Sequence, residues 1–304
     1  MVMELRDIEY FIAVAERGHV GRAAESLGLS QPALSKSLRR LEASMDTKLV
    51  KRTPKGVELT AVGTAFYSHV RRLRLSLDDI AHEVEDLTKG RAGHVQVGVS
   101  SPAVDYLLSP AVGSLLNSTP KVTLKVIVGS NDVLMPALRN GQVDLIVCGV
   151  VSPAEQGFVD VHLCDDEYFV YASTSHKLAG RKRVTLHDIA AERWALSSDA
   201  PPRRWLHRVF QDNGLPPPVI ALESSSLSLR LRSVASSNLL DFLPRITARN
   251  APSGVRLVEL RVKELAWRRA LVVRYRKDAY LSPAAKRLID ILKAKAKDIA
   301  EENR

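Results

Sequence analysis

The sequence predicts an α+β protein of several domains, and three patterns along its 304 residues indicate this organisation. Two short amphipathic helices flank a glycine turn near the N-terminus, and a basic strand pair follows them. A heptad repeat of apolar residues comes next, and from His94 strand patterns alternate with helix patterns. We therefore expect a winged helix-turn-helix head at 1–59, a linker helix at 60–90 and an α/β region at 91–304.

The head begins with a helix predicted over 5–17. Its apolar residues recur at helical spacing, and we interpret this face as core that packs behind the next two helices. These residues are Leu5, Ile8, Phe11, Ile12 and Ala15.

Gly28-Leu29-Ser30 separates the two helices of the predicted motif. The glycine can adopt a positive φ and end the first helix, and Ser30 or Gln31 can cap the second, with Pro32 in its first turn. Buried faces are expected on both helices. They carry Val20, Ala23, Ala24 and Leu27 on the first and Leu34, Leu38 and Leu41 on the second.

The other face of the second helix carries side chains that bind bases and phosphates. One helix fits the major groove of B-DNA, where its first two turns contact base edges. A turn at Pro54-Lys55-Gly56, flanked by basic residues, suits a wing along the DNA backbone or minor groove. A solvated surface helix is the alternative, and the caps, the two-helix geometry and the wing favour DNA binding. The predicted DNA-contacting residues are Gln31, Pro32, Ser35, Lys36, Arg39, Arg40, Lys51, Arg52 and Lys55.

After the wing, Thr60 is a plausible N-cap for a helix that runs to about Thr88. Its apolar residues recur at intervals of three and four, which is the pattern of a coiled-coil seam. A helix between two domains has little chain of its own to cover such a stripe, so we expect it to pair with a second copy. The seam residues are Phe66, Val70, Leu73, Leu77, Ile80, Val84 and Leu87.

Glycines and charges at 89–93 end the helix, and strands then alternate with helices. Such alternation predicts a mainly parallel sheet, with ligands beyond the carboxyl ends of the strands. Ser100, Ser101, Gly129 and Ser130 lie at two such ends, each before a helix, where amides and hydroxyls suit a small anion. Each serine alone is more simply explained as an ordinary N-cap.

Composition excludes several classes of protein. The net charge of +10 favours a polyanionic partner, although a solvated basic surface remains the simpler explanation for the part beyond the head. No run approaches the about 18 apolar residues of a membrane span, and no signal peptide is apparent, so we expect a cytoplasmic protein. Cys148 and Cys164 are too few for a disulfide framework, a redox pair is a minor alternative, and we expect no metal or other cofactor.

The first 65 residues resemble the LysR-type transcriptional regulators. The sequence departs from the family pattern at two places: Met45-Asp46 stands where the family usually has Leu-Gly, and Val50 stands where it usually has Phe. Aspartate tolerates the left-handed conformation, so we expect the helix end to survive. The resemblance is carried by Leu5, 10–16, Ala23-Ala24, 30–35, Leu41-Glu42, Lys51-Arg52 and Leu59-Thr60.

The α/β region is similar to the effector-binding module of that family, which resembles type 2 periplasmic binding proteins. The resemblance implies subdomain I at 91–162 and 265–304, subdomain II at 163–264, and an inducer between them. It also implies assembly into dimers or tetramers, promoter DNA as partner, and RNA polymerase as a further one. Asp241 is either a cleft residue or an edge residue. The effector-binding residues that the resemblance implies are Ser100, Ser101, Ser130, Ser198, Asp199, Arg203, Glu223 and Ser225.

These expectations combine into a transcriptional regulator that binds promoter DNA as an oligomer and responds to a small inducer. Serine hydroxyls, helix ends and Arg203 favour an anionic inducer. An enzyme is not expected, because the strand ends offer serines without a paired histidine. The alternative is a nucleoid-type DNA binder that is indifferent to sequence.

Overall fold

A computed structural model describes residues 3–54, 56–89, 93–152, 154–197 and 201–302. The chain divides into two compact units, 1–82 and 83–304, and each is considered separately below.

The first unit opens with three helices around one hydrophobic core. They are α1 (Leu5–Arg17), α2 (Val20–Ser26) and α3 (Gln31–Ser44). Phe11 and Ile12 of α1 pack against the apolar faces of α2 and α3, as their spacing predicts. Leu27 departs from the prediction: it caps the end of α2 and remains 37% exposed.

Local signals set the ends of α3. The Ser30 hydroxyl accepts a hydrogen bond from the Ala33 amide at 3.4 Å, and Pro32 occupies the first turn. Beyond the C-terminal end, Asp46 adopts a φ of 48°, the left-handed conformation expected of the residue in the glycine position. The departure from Leu-Gly therefore leaves this helix end intact.

The wing is an antiparallel pair, β1 (Val50–Thr53) and β2 (Gly56–Leu59). Gly56 has a φ of 136°, and a Cβ there would lie 2.3 Å from the Gly18 carbonyl oxygen. Only glycine allows this approach, which brings the Val57 amide within 2.8 Å of the same carbonyl. The wing is thus hydrogen-bonded to the end of α1.

A long helix, α4 (Ala61–Lys89), follows the wing. Thr60 caps it as predicted, since its hydroxyl accepts from the Gly63 amide at 2.9 Å. Phe66 and Val70 pack on the core of the head, whereas the other five seam residues are 41–77% exposed. None of the helices in the described residues has the length and apolar character needed to cross a bilayer.

The second unit begins with strands and helices in alternation. After β3 (His94–Ser100), a 3₁₀ turn and a π-helical turn (Val104–Leu108) lead into α5. The elements that follow are α5 (Ser109–Ser118), β4 (Thr123–Gly129), α6 (Asn131–Arg139) and β5 (Leu145–Val150).

The rest of the unit continues the alternation after one long strand, β6 (Phe158–Ser173). The remaining helices are α7 (Leu186–Ala190), α8 (Pro201–Asp212), α9 (Leu227–Ala235), α10 (Arg245–Arg249) and α11 (Pro283–Glu302). The remaining strands are β7 (Arg193–Leu196), β8 (Val219–Glu223), β9 (Leu239–Pro244), β10 (Leu257–Leu260) and β11 (Trp267–Arg276).

The strands are ordered β4-β3-β5-β11-β6-β9-β7-β8, with β10 beside β6. Pairs at both ends of this order are parallel, as predicted. The central pairs involving β6 and β11 are antiparallel, so the sheet is more mixed than the expected mainly parallel one. The two antiparallel strands connect the two ends of the sheet.

Separate hydrophobic cores lie on the two sides of these connecting strands. One side packs around Leu107, Leu115 and Leu292, and the other around Trp194 and Phe210. The crossing points expected near 162 and 264 fall inside β6 and just before β11. Both crossing points therefore lie at the connecting strands.

Candidate functional site

The surface of α3 displays most of the side chains predicted to contact DNA. Gln31 and Pro32 in its first turn are exposed, as is Lys36, and Ser35 is half-buried. Arg39 is exposed, and its Nε donates to the Ser35 carbonyl at 3.3 Å. This face combines an amide, a hydroxyl and cationic groups near the helix start, which is the composition needed for base and phosphate contacts.

Arg40 lies in a different environment from its neighbours. Its Nε and Nη2 donate to the buried carboxylate of Asp7 at 2.7 and 2.5 Å, and Nη2 lies 3.2 Å from Glu4. Ser37 donates to the same carboxylate. The hydrogen bond from Arg40 lowers the pKa of Asp7, while burial opposes this. Arg40 therefore joins α3 to α1, and its guanidinium is already matched by carboxylates.

The wing presents two of its three predicted residues. Lys51 is exposed and lies 2.9 Å from Glu58 on the neighbouring strand, and Arg52 is also exposed. Lys55, at the tip, lies outside the described residues. Sequence reasoning missed a buried residue that positions this wing: Glu42 accepts hydrogen bonds from the Leu49 and Val50 amides at 3.0 and 3.3 Å.

A cavity of about 770 Å³ lies between the two hydrophobic cores of the second unit. Several predicted effector residues line it from both sides of the connecting strands, namely Ser100, Ser101, Ser130, Arg203 and Ser225. The volume suits a ligand of drug-like size. Ser198 and Asp199, which were also predicted, lie outside the described residues.

The serines of the cavity differ in their hydrogen bonding. Ser100 is only 7% exposed, and within the described part of the chain its hydroxyl has no partner. The Ser101 hydroxyl donates to the Ser225 carbonyl at 3.5 Å, which spans the cavity. Ser130 donates to the Asp132 carboxylate instead of capping α6. The Ser100 hydroxyl is therefore the one of these three whose donor remains available to a ligand, while the other two can still accept a hydrogen bond.

Arg203 pairs with Glu223 across 2.8 Å. Both residues were predicted as effector contacts, and Arg203 was one of three features that favoured an anionic inducer, together with the serine hydroxyls and the helix ends. Glu223 does not itself line the cavity. The Arg203 guanidinium is thus already matched by a carboxylate.

Two buried ion pairs in the cavity wall were not predicted. Arg230 of α9 donates from Nε to Asp241 at 3.1 Å, and Arg269 of β11 donates to Asp166 at 3.1 and 3.2 Å. The Arg269 guanidinium also lies 4.7 Å from the centre of the Tyr168 ring. Burial raises the pKa of both carboxyls, and the guanidinium partners oppose that rise.

Asp241, left undecided by the sequence, therefore contacts the cavity from a central strand and not from an edge. Arg230 could have been suspected from sequence, because it lies on the helix face shared by Leu227, Leu231 and Val234. A buried arginine requires a carboxylate partner.

The two cysteines lie on opposite faces of the sheet. Cys148 pairs with Val272 of β11 and Cys164 with the adjacent Leu271. Successive strand residues point to opposite faces, and the two thiols belong to different cores. Burial raises the pKa of each thiol to about 11. This arrangement opposes disulfide formation between the pair.

We expect both cysteines to resist modification in the folded protein. Iodoacetamide at mildly alkaline pH should label neither thiol appreciably over an hour, because both are protonated and buried. Intact mass spectrometry measures this, with the protein unfolded in guanidinium as the control in which both react. Rapid labelling of the native protein, or a disulfide after peroxide treatment, would show that the thiols are accessible.

Within the described residues, no group of three or more histidine, cysteine or carboxylate side chains is arranged to hold a metal ion.

Comparison with known proteins covers both units. Residues 5–64 match the family model described as "Bacterial regulatory helix-turn-helix protein, lysR family", and residues 88–297 match the "LysR substrate binding domain". GbpR of Azospirillum brasilense, an HTH-type transcriptional regulator, is 30% identical over 257 residues, 83% of this chain and 75% of that protein. CbbR of Rhodospirillum rubrum is 27% identical over 294 residues, 96% of this chain and 97% of that one.

Among solved structures, full-length CbnR in complex with its target DNA superposes with a TM-score of 0.61 at 22% identity. The alignment covers 96% of this chain and all of that one. The similarity therefore extends over the whole fold, from the head to the α/β region.

Proposed function

Because the chain belongs to the LysR family of bacterial transcriptional regulators, we propose that α3 reads promoter DNA and that the cavity binds the inducer. The protein is a DNA-binding regulator that responds to an effector ligand, not an enzyme. The nucleoid-type alternative is not favoured. We propose that it acts in the cytoplasm, where promoter DNA is found.

The observation that carries the DNA-reading proposal is the exposed N-terminal turn of α3. The exposure of Gln31 in this turn supports its proposed contact with a base edge, with Pro32 and Ser35 beside it, because the first turns of a recognition helix enter the major groove. Lys36 and Arg39 would contact phosphates, as would Lys51, Arg52 and Lys55 of the wing. Arg40 contributes indirectly, by holding α3 against Asp7 of α1.

We further propose that α4 pairs with α4 of a second chain along the exposed seam residues from Leu73 to Leu87. Two heads joined in this way fit two half-sites of a near-palindromic operator. Larger assemblies, such as tetramers, follow if the α/β regions also pair. A regulator bound beside a promoter lies within reach of RNA polymerase, which we propose as a further partner.

The cavity supplies the regulatory step of the proposal. Its walls come from both sides of the connecting strands β6 and β11, so a ligand that contacts both sides favours one relative arrangement of them. Coupling to the heads follows if that arrangement changes the spacing or bend imposed on DNA. Ser100, Ser101, Ser130 and Ser225 are the contacts that we propose for the inducer.

Replacing Gln31 with Ala tests base reading. We expect the ratio of promoter affinity to random-DNA affinity to fall about tenfold, since one bidentate base contact contributes about 1–3 kcal/mol of discrimination. Gel-shift titrations on both DNAs at one salt concentration measure it, since phosphate contacts depend on salt.

Gln211→Ala, an exposed glutamine of α8, is the matched control and should leave the ratio unchanged. Loss of affinity by Gln31→Ala in equal measure on both DNAs would contradict a base-reading role.

A further inference from the structure

The guanidinium groups of the cavity are all neutralised by nearby carboxylates. In the described residues no lysine lines the cavity, and three arginines do. Their partners lie at 2.8, 3.1 and 3.1 Å, in the pairs Arg203–Glu223, Arg230–Asp241 and Arg269–Asp166. An anionic ligand would therefore have to compete with an existing carboxylate for every one of these cations.

The helix N-termini around the cavity differ in how their first amides are satisfied. Asp132 lies in the first turn of α6, where its own carboxylate complements the helix dipole. The Ser226 hydroxyl caps α9, and Ser224 accepts the Ser226 amide at 3.1 Å. The first two residues of α8, Pro201 and Pro202, have no amide hydrogen to donate. The starts of α8 and α9 therefore offer few free backbone donors to an anion, whereas the start of α6 has no side-chain cap and carries a carboxylate of its own.

Asp105 and Ser100 are polar groups of the wall that no described side chain matches. Asp105, on the π-helical turn, lines the cavity, and no described residue forms an ion pair with its carboxylate. Ser100, at the end of the preceding strand, has a buried hydroxyl without a partner. The first is an anion that faces the cavity, and the second can donate or accept a hydrogen bond.

The charged side chains that line the cavity balance in number. In the described residues these are the guanidinium groups of Arg203, Arg230 and Arg269 and the carboxylates of Asp105, Asp132 and Asp241. The three arginines are all paired and Asp105 is not, so a cation bound beside Asp105 would meet a carboxylate that no guanidinium compensates. Apolar walls at Leu196 and Phe242 provide space for a hydrocarbon or aromatic body.

From these observations we propose that the effector carries a protonated amine, which the Asp105 carboxylate binds while the Ser100 hydroxyl bonds a polar group of the same molecule. This inference rests on the proposed role of the cavity as the effector site. It replaces the anionic inducer expected from the sequence, because Arg203, the one cation of that expectation, is paired with Glu223.

Three aromatic probes of similar size separate the ligand classes: 2-phenylethylamine, 2-phenylethanol and phenylacetate. In isothermal titration calorimetry of the full-length protein near neutral pH, we expect the amine to bind about tenfold more tightly than the carboxylate. Asp105→Asn should abolish this preference and leave the affinity for the alcohol within about twofold. Asp290→Asn, an exposed carboxylate on α11, is the matched control and should behave as wild type.

Tighter binding of phenylacetate than of the amine would overturn the proposal. So would an amine preference that survives in Asp105→Asn, or an amine that gives no binding heat at millimolar concentration. None of these results affects promoter binding or the response of a promoter reporter, so they contradict the ligand class without contradicting the regulator.

Discussion

Replacing Leu77 with Asp is expected to dissociate the protein into monomers and to abolish tight promoter binding. Leu77 is one of the exposed seam residues on α4. Its own chain leaves 41% of its surface exposed. In a paired helix each buried leucine contributes about 1.5–3 kcal/mol, and the substitution occurs once in each chain. Two facing carboxylates would add repulsion.

The combined loss corresponds to a dimer dissociation constant raised by about two to four orders of magnitude. Analytical ultracentrifugation measures the mass, and gel shift on a two-half-site promoter measures the affinity. A single head retains only its own contacts, so promoter affinity should fall by about 100-fold or more.

His82→Asp provides the control, because it introduces the same carboxylate into α4 away from the seam positions. Its mass and promoter affinity should match those of the wild type. An unchanged mass for Leu77→Asp would show that the seam is not the dimer interface.

Replacing Ser101 with Arg is expected to abolish the inducer response while promoter binding persists. Ser101 spans the cavity through its contact with Ser225, so an arginine side chain there would occupy ligand space and separate the two walls. The head lies in a different compact unit and should retain its fold.

A promoter reporter in cells grown on a panel of carbon and nitrogen sources measures the response, and gel shift measures DNA binding. Expression should vary among media for the wild type and stay at one level for Ser101→Arg. Ser236→Arg, an exposed serine at the end of α9, should respond like the wild type. A normal response by Ser101→Arg would remove this cavity from the mechanism.

Features encoded by local sequence were predictable. The bounds of α1 agree with the prediction at both ends, and Thr60 and Ser30 cap helices as expected. Such features depend on helical period, cap residues and glycine positions, all within a few residues of chain. The strand ends that carry Ser100 and Ser130 were found for the same reason.

Features that join distant segments were not predictable. The first ten residues of β6 pair with β11, and their sequence shows no clear strand pattern because the charges at Asp165 and Asp166 interrupt the apolar alternation. Arg269 reaches Asp166 across 103 residues of sequence. Neither a period nor a motif reveals such a pair.

Arg40 illustrates the same limit within a single helix. Its position beside Arg39 predicts a DNA-facing cation, and only the packing of α3 against α1 shows that it contacts Asp7, 33 residues earlier. Helical spacing identifies a solvent-facing side chain but not which neighbouring helix it reaches.

The central claim, that paired α3 helices read a specific promoter, is tested most directly by footprinting. The purified full-length protein is titrated onto the DNA upstream of its own gene and onto random DNA of equal length, at one moderate salt concentration. We predict protection of two half-sites whose centres are separated by about one helical turn or a multiple of it. Equal, unlocalised coverage of both DNAs, or no protection of either, would contradict the account.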